Sequence, residues 1–287
     1  MSLEAGHFVI RASDGTNLSV ARYGNGPPCL FIHGGPGYAA FSFERIVGPR
    51  LGARLELISV DQRGCGRSQW STDYRIERLV QDYEDIRLAF GLSNWSLLAH
   101  SWGGIPAINY LMNCPRSIKS LVLVNCTLNI RESLLAQIEE AEAILGIKVP
   151  GGLLNQRYFD AIGRLMNAQK FYLLQFSSEA NSKLLSQLDS ELPSKGSDPR
   201  FVINAFTDIS YLRDYKTVAH ELETPVKIIY GTSDAAVGLN HHQGFRFKNA
   251  SISAIEGKHH PYLEAKEQFD NTLFQFLELV EALRTNT

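Results

Sequence analysis

The chain has 287 residues, 44% of them hydrophobic and 20% charged, with a formal charge of −2. That length can bury a sizeable core, which favours one large α/β domain, or a domain with an insertion, over two equal domains. The near-neutral balance, with no basic run, excludes an electrostatic footprint for nucleic acid or an anionic membrane surface, so a small molecule is the expected partner.

Cys29, Cys65, Cys114 and Cys126 show no CxxC spacing and read as reduced thiols rather than a disulfide framework or zinc site. The opening MSLEAGHFVI has no basic region leading into an apolar stretch, and no apolar run approaches the length needed to cross a bilayer. A cytoplasmic protein is expected. Nothing in the sequence specifies an oligomeric state.

No internal repeat is evident, so periodicity and turn signals carry the organisation. His7 to Ala12 and Leu18 to Arg22 flank Asp14-Gly15-Thr16-Asn17, the pattern of an antiparallel hairpin. Short apolar runs follow at Cys29 to Ile32, Leu55 to Val60, Trp95 to Leu98, Leu121 to Val124, Val226 to Tyr230 and Ile252 to Ile255, each of strand length. Between several of them the period turns helical: Ile76, Leu79, Val80, Tyr83, Ile86 and Phe90 line one face. Phe269, Leu273, Phe276, Leu277, Val280 and Leu283 form a similar stripe near the end. Alternating strands and helices predict a mostly parallel sheet covered on both faces, with the hairpin as its antiparallel edge.

The alternation breaks over residues 127–223. Leu134, Ile138, Ala141 and Leu145 make one helical stripe; Tyr158 to Met166, Phe171 to Phe176 and Leu184 to Leu188 suggest more, and loop signals sit at Pro150-Gly151-Gly152 and from Pro193 to Pro199. The expected division is a core of residues 1–126 and 224–287 with a helical cap, 127–223, inserted over the crevice where open α/β sheets bind ligands.

Leu97-Leu98-Ala99-His100-Ser101-Trp102-Gly103-Gly104 runs from an apolar strand through a serine into the helical pattern Ile105, Ala107, Ile108, Leu111. A strand, a sharp turn bearing serine and a helix make a nucleophile elbow, which needs small residues two before and two after the serine. Here these are Ala99 and Gly103. An ordinary helix N-cap serine presents the same local pattern, so this stretch alone leaves both readings open. Phe31-Ile32-His33-Gly34-Gly35-Pro36-Gly37 lies at the end of another strand, and its adjacent glycines leave backbone N–H groups approachable. Gly35 and Trp102, through their backbone N–H groups, are the candidate oxyanion donors.

In this fold the triad runs serine, acid, histidine along the chain. Asp234 is the first carboxylate after the strand Val226 to Tyr230, whereas Asn125-Cys126-Thr127 after the earlier strand offers none. His7, His33 and His100 precede the serine, and His33 and His100 are assigned to shaping the two turns. His220 lies in the insertion or its exit, and His241 and His242 sit on a helix face or solvated turn. His259 and His260 remain. With neither HExxH nor a His/Cys cluster, no metal and no cofactor are expected.

The stretches HGGPG at 33–37, DQRGCGRS at 61–68, HSWGG at 100–104, GTSD at 231–234 and HHPYLEAKEQF at 259–269 together resemble the α/β-hydrolase superfamily, and more closely its prolyl iminopeptidase-like branch. The resemblance implies Ser101 as nucleophile, Asp234 as acid, His259 as base, and the Gly35 and Trp102 N–H groups as oxyanion hole. The base is placed at His259 because the family's histidine stands two before a proline, here Pro261, with Lys258 where glycine is common. His260 is then a loop residue at the pocket rim, and Asp61 to Ser68 a structural turn.

The branch also holds a substrate's free amino group with cap carboxylates, and in the comparable stretch 204–211 only Asp208 stands, with no glutamate. The expected activity is hydrolysis of an amide or ester of a small molecule or short peptide. A carboxylesterase or lactonase is the alternative, and a non-catalytic ligand-binding or signalling protein the reading from another class.

Overall fold

The computed structural model describes residues 6–192 and 196–285; the opening residues 1–5 and the loop signals at Pro193, Ser194 and Lys195 lie outside them. β1 (Gly6–Arg11) and β2 (Asn17–Tyr23) form the hairpin, turned at Gly15, whose φ is 88° and whose N–H donates to Ala12 O at 2.8 Å. There follow β3 (Pro28–Ile32), α1 (Phe41–Gly52), β4 (Glu56–Val60), α2 (Ile76–Ala89), β5 (Trp95–His100), α3 (Gly104–Asn113) and β6 (Ile118–Val124). Six helices come next: α4 (Ile130–Leu145), α5 (Leu154–Asn167), α6 (Tyr172–Gln175), α7 (Glu179–Ser190), α8 (Pro199–Thr207) and α9 (Ile209–Leu212). β7 (Val226–Gly231), β8 (Ala250–Ile255), α10 (Pro261–Glu264) and α11 (Lys266–Thr285) complete the described chain.

The strands form one sheet in the order β1-β2-β4-β3-β5-β6-β7-β8. β2 is antiparallel to β1 and to β4, and all pairings from β4 to β8 are parallel. Side chains alternate across the sheet as the pleat requires. Leu30, Ile32, Leu97, Ala99, Leu121 and Leu123 face the core shared with α2 and α3. Cys29, Phe31, Leu98, Val122 and Val124 face the core shared with α1 and α11. Burial on both sides explains why these strands read as continuous apolar runs.

The structure departs from the sequence reading at several points. α1 carries no helical signature, since Gly48, Pro49 and Gly52 fall within it; Gly48 is required because a Cβ there would lie 2.9 Å from the Tyr23 ring. β5 runs on to His100, a polar residue at the end of an apolar run. Leu283, placed on the apolar stripe of α11, is 58% exposed in the last turn, whereas Phe269, Leu273, Phe276, Leu277 and Val280 are buried.

The helical segment after β6 lies against the turns that follow β3 and β4. Asp198 N–H donates to Gly64 O at 2.7 Å, Tyr74 O–H donates to Asp198 at 2.6 Å, and a Cβ on Gly37 would meet Val202 at 2.8 Å. Gly103 plays the same close-packing role beside β3: a Cβ there would overlap Ile32 O and lie 2.7 Å from His33 O. Gly103→Ala is therefore expected to lower stability by about 1–3 kcal/mol, the usual cost of overpacking. An unchanged thermal unfolding midpoint would contradict this close approach.

Candidate active site

Ser101 stands where β5 meets α3, in a 3-10 turn over Ser101–Gly103. Its φ is 58°, a left-handed value uncommon for a residue with a side chain and of the kind concentrated at functional sites. The turn is tight because its neighbours are small. A Cβ on Gly34 would lie 2.7 Å from Ser101 Cβ, and one on Gly104 would lie 2.7 Å from Cys126 Cβ. Ala99, fully buried, fits at the first small position.

Ser101, His259 and Asp234, distant in sequence, meet in one hydrogen-bonded chain. Ser101 Oγ lies 2.9 Å from His259 Nε2, and His259 Nδ1 lies 2.9 Å from Asp234 Oδ2. Asp234 is 0% exposed and His259 4%. Burial alone would raise the Asp234 pKa, but the charge and hydrogen bond of His259, the nearby His241 and the Ala236 N–H together hold it below the ordinary carboxylate value. Asp234 therefore remains the anion that orients the ring.

The two loops are fastened by Asn125, at φ 45°: Gly231 N–H donates to its Oδ1 at 2.7 Å, and its Nδ2 donates to Lys258 O at 2.8 Å. The position that lacks a carboxylate thus holds the loops bearing Asp234 and His259 together. The helical segment adds a third tie: His259 N–H donates to Gln175 O at 3.0 Å, and the Lys258 ammonium reaches Leu173 O.

Gly35, at φ 124°, lines the cavity beside Ser101. Trp102 follows Ser101, its ring packed on Phe201 and Tyr211 at centroid distances of 5.7 and 5.5 Å. Among the described residues, neither backbone N–H donates to a protein acceptor. The turn bearing Gly35 is braced by the Asp61–Ser68 stretch, where Gln62 N–H donates to His33 Nε2 at 3.0 Å and Asp61 accepts from Ala40 N–H at 2.8 Å.

His260 is not the rim residue that the sequence suggested. It is 5% exposed, stacked on Phe176 at 4.6 Å and bonded through Nδ1 to the Tyr262 hydroxyl at 2.7 Å. It walls the cavity because the Pro261 turn points it inward, under α6. His100 does more than shape its turn, since its Nε2–H donates to His259 O at 2.8 Å. Asp208 is remote from the cavity lining: it caps α9 and accepts from Ser210 N–H at 2.8 Å. Sequence reasoning missed Asp189 on α7, which accepts from the Tyr38 hydroxyl, and Gln175, for which no local pattern offered a signal. Among the described residues no cluster of three or more His, Cys, Asp or Glu is arranged to hold a metal, and no helix is long and apolar enough to cross a membrane.

Residues 27–266 match the family described as alpha/beta hydrolase fold. This chain belongs to that family. Among the proteins that it is similar to are proline iminopeptidases. A proline iminopeptidase of Heyndrickxia coagulans is 35% identical over 102 residues, a match covering 34% of this chain and 35% of the relative. A proline iminopeptidase of Clostridioides difficile is 25% identical over 275 residues, covering 87% and 89%. The crystal structure of a proline iminopeptidase-related protein from Thermus thermophilus superposes with a TM-score of 0.81 at 21% identity, covering 97% of this chain and 99% of that one.

Burial first, and then the charge of His259, push the His100 pKa down from 6.5 to about 3. The unfolded chain therefore binds a proton near pH 6.5 that the native hydrolase refuses until about pH 3, and stability falls as pH drops through that window. The slope from this one group is about 1.4 kcal/mol per pH unit. His100→Gln keeps a donor for His259 O and is expected to flatten the fall of the unfolding midpoint between about pH 6.5 and about pH 4.5; a slope equal to wild type would refute the buried neutral imidazole.

Proposed function

We propose that this α/β hydrolase is a serine hydrolase that cleaves an acyl bond of a small substrate. Ser101 is the nucleophile, His259 the base, Asp234 the orienting acid, and the Gly35 and Trp102 N–H groups the oxyanion donors. The observation that carries this reading is the hydrogen-bonded chain from Asp234 through His259 to a serine at φ 58°.

Ser101 Oγ attacks the carbonyl carbon while His259 Nε2 takes its proton, and the carbonyl electron pair moves onto oxygen facing the two N–H groups. Collapse re-forms the carbonyl and expels the leaving group, which receives the proton from His259. Water then attacks the acyl-serine by the same proton relay and releases the acid. Throughout, Asp234 stays ionised and holds the ring in the tautomer with Nδ1–H. Residues 127–223 act as the cap over this site, a role supported by their ties at Gln175, Leu173 and Asp198.

The relatives named above make a short peptide or amide with a free amino-terminal residue the first substrate class. A second reading, a small ester or lactone, is favoured by the charge of the cavity. No carboxylate lines it among the described residues. Asp189, on α7, has its pKa raised by burial and already accepts a hydrogen bond from the Tyr38 hydroxyl, so it offers little to an ammonium group.

Comparing proline p-nitroanilide with p-nitrophenyl acetate and butyrate separates the two readings. Ester turnover without amide cleavage is expected from the cavity, and efficient cleavage of the proline amide would establish the peptidase reading. His259→Ala should lose about 1,000-fold or more of either activity, by analogy with the loss of any triad member. Retained turnover would remove His259 from the mechanism.

A further inference from the structure

We infer that His260 and Gln175 form the specificity-determining end of an acyl subsite that recognises a hydrogen-bond-accepting oxygen on a short, uncharged acyl group. This inference rests on Ser101 being the nucleophile. The cavity beside Ser101 measures about 120 Å³, enough for a few non-hydrogen atoms, and its walls include Phe31, Phe43, Leu185 and Tyr262. Phe31 stacks on Phe43, and Tyr262 meets Phe43 edge-on at 4.9 Å. In acyl transfer the leaving group departs and water enters while the acyl group stays on serine. A cavity walled by buried aromatic side chains suits the part that stays.

Apolar side chains share the lining with polar ones, Tyr38, Ser42, Gln175 and His260 among them, and His260 carries a buried donor with only a weak partner. His260 is fixed by its stack on Phe176, with rings 13° from parallel, and by the Tyr262 hydroxyl at 2.7 Å from Nδ1. His260 Nδ1 is the one hydrogen-bond partner of the Tyr262 hydroxyl among the described residues, so the hydroxyl, which needs an acceptor, is assigned as the donor to Nδ1. His260 is itself neutral, because burial, followed by the charges of His259 and His100, holds its pKa well below 6.5. The remaining proton is therefore on Nε2.

That N–H has only a long contact, 3.4 Å to Gln175 Oε1, at the outer limit of a hydrogen bond. His260 and Gln175 both line the cavity that contains Ser101. A buried donor with so weak a partner gains a better one when a substrate oxygen approaches, and a hydrocarbon chain of the same shape leaves it as it was. Gln175 adds a second neutral donor, its side-chain amide N–H, beside that of His260, and its backbone carbonyl, which accepts from His259 N–H at 3.0 Å, anchors the end of α6 next to His259. An ether, ketone or hydroxyl oxygen within a few bonds of the scissile carbonyl matches the neutral, donor-bearing wall.

The test compares kcat/KM for p-nitrophenyl methoxyacetate and levulinate with that for butyrate and valerate, each divided by its rate of hydroxide hydrolysis. Wild type should prefer the oxygenated member of at least one pair. That preference should fall about 10-fold in His260→Phe, which keeps a ring for Phe176, and severalfold in Gln175→Leu. Equal ratios in all three proteins, or a wild-type preference for both hydrocarbons, would overturn the subsite. Should His260→Phe not fold, Gln175→Leu, at the partly exposed end of α6, decides alone. Fluorophosphonate labelling of the wild type is run alongside: labelling at Ser101 with unchanged ratios sinks the subsite only, whereas no labelling and no ester turnover sinks the serine-hydrolase reading on which it rests.

Discussion

Everything in this site depends on the chain reversing at Ser101 without room to spare. A residue with a side chain is held at φ 58°, a conformation that costs of the order of 1–3 kcal/mol and persists only where the surroundings over-determine it. Those surroundings are β3 on one side, pressed against Gly103, and the Cys126-Thr127 turn on the other, pressed against Gly104. The close approach lifts the hydroxyl above the sheet edge and presents the start of α3 beneath it. No single contact does this; the parallel packing of β3, β5 and β6 does.

The same compactness sets the electrostatics. Around Ser101 the histidines at 33, 100 and 260 are all buried and have lowered pKa values, so burial holds them neutral. Asp234 is the exception, kept ionised by His259 although it too is fully buried. A single negative charge thus sits behind the His259 ring among neutral groups, where the imidazolium that the proposed mechanism forms would gain most from it. Asn125 and Gln175 add no charge. They hold the loops on which the charged pair stands.

The sheet was legible in the sequence because its strands are buried on both faces, so that runs such as Leu121 to Val124 carry apolar side chains at every position. Ser101 and Asp234 were legible because each follows such a run at a turn. His259 needed the spacing to Pro261, since nothing local distinguishes it from His260. What escaped were features made by distant chain segments. α1 hides behind Gly48 and Pro49, residues chosen for contact with Tyr23 or tolerated despite their helix propensity. Gln175 and Asp189 sit on helices after β6 whose placement over the sheet has no local signature, and the burial of His260 follows from α6 folding over it.

The central claim is that Ser101 is the one nucleophile, activated through His259. It is tested most directly by treating the protein with a fluorophosphonate, locating the adduct by peptide mass mapping, and following ester hydrolysis in Ser101→Ala. The account predicts one adduct, on Ser101, abolished with turnover in the variant. An adduct elsewhere, or undiminished turnover by Ser101→Ala, would contradict it.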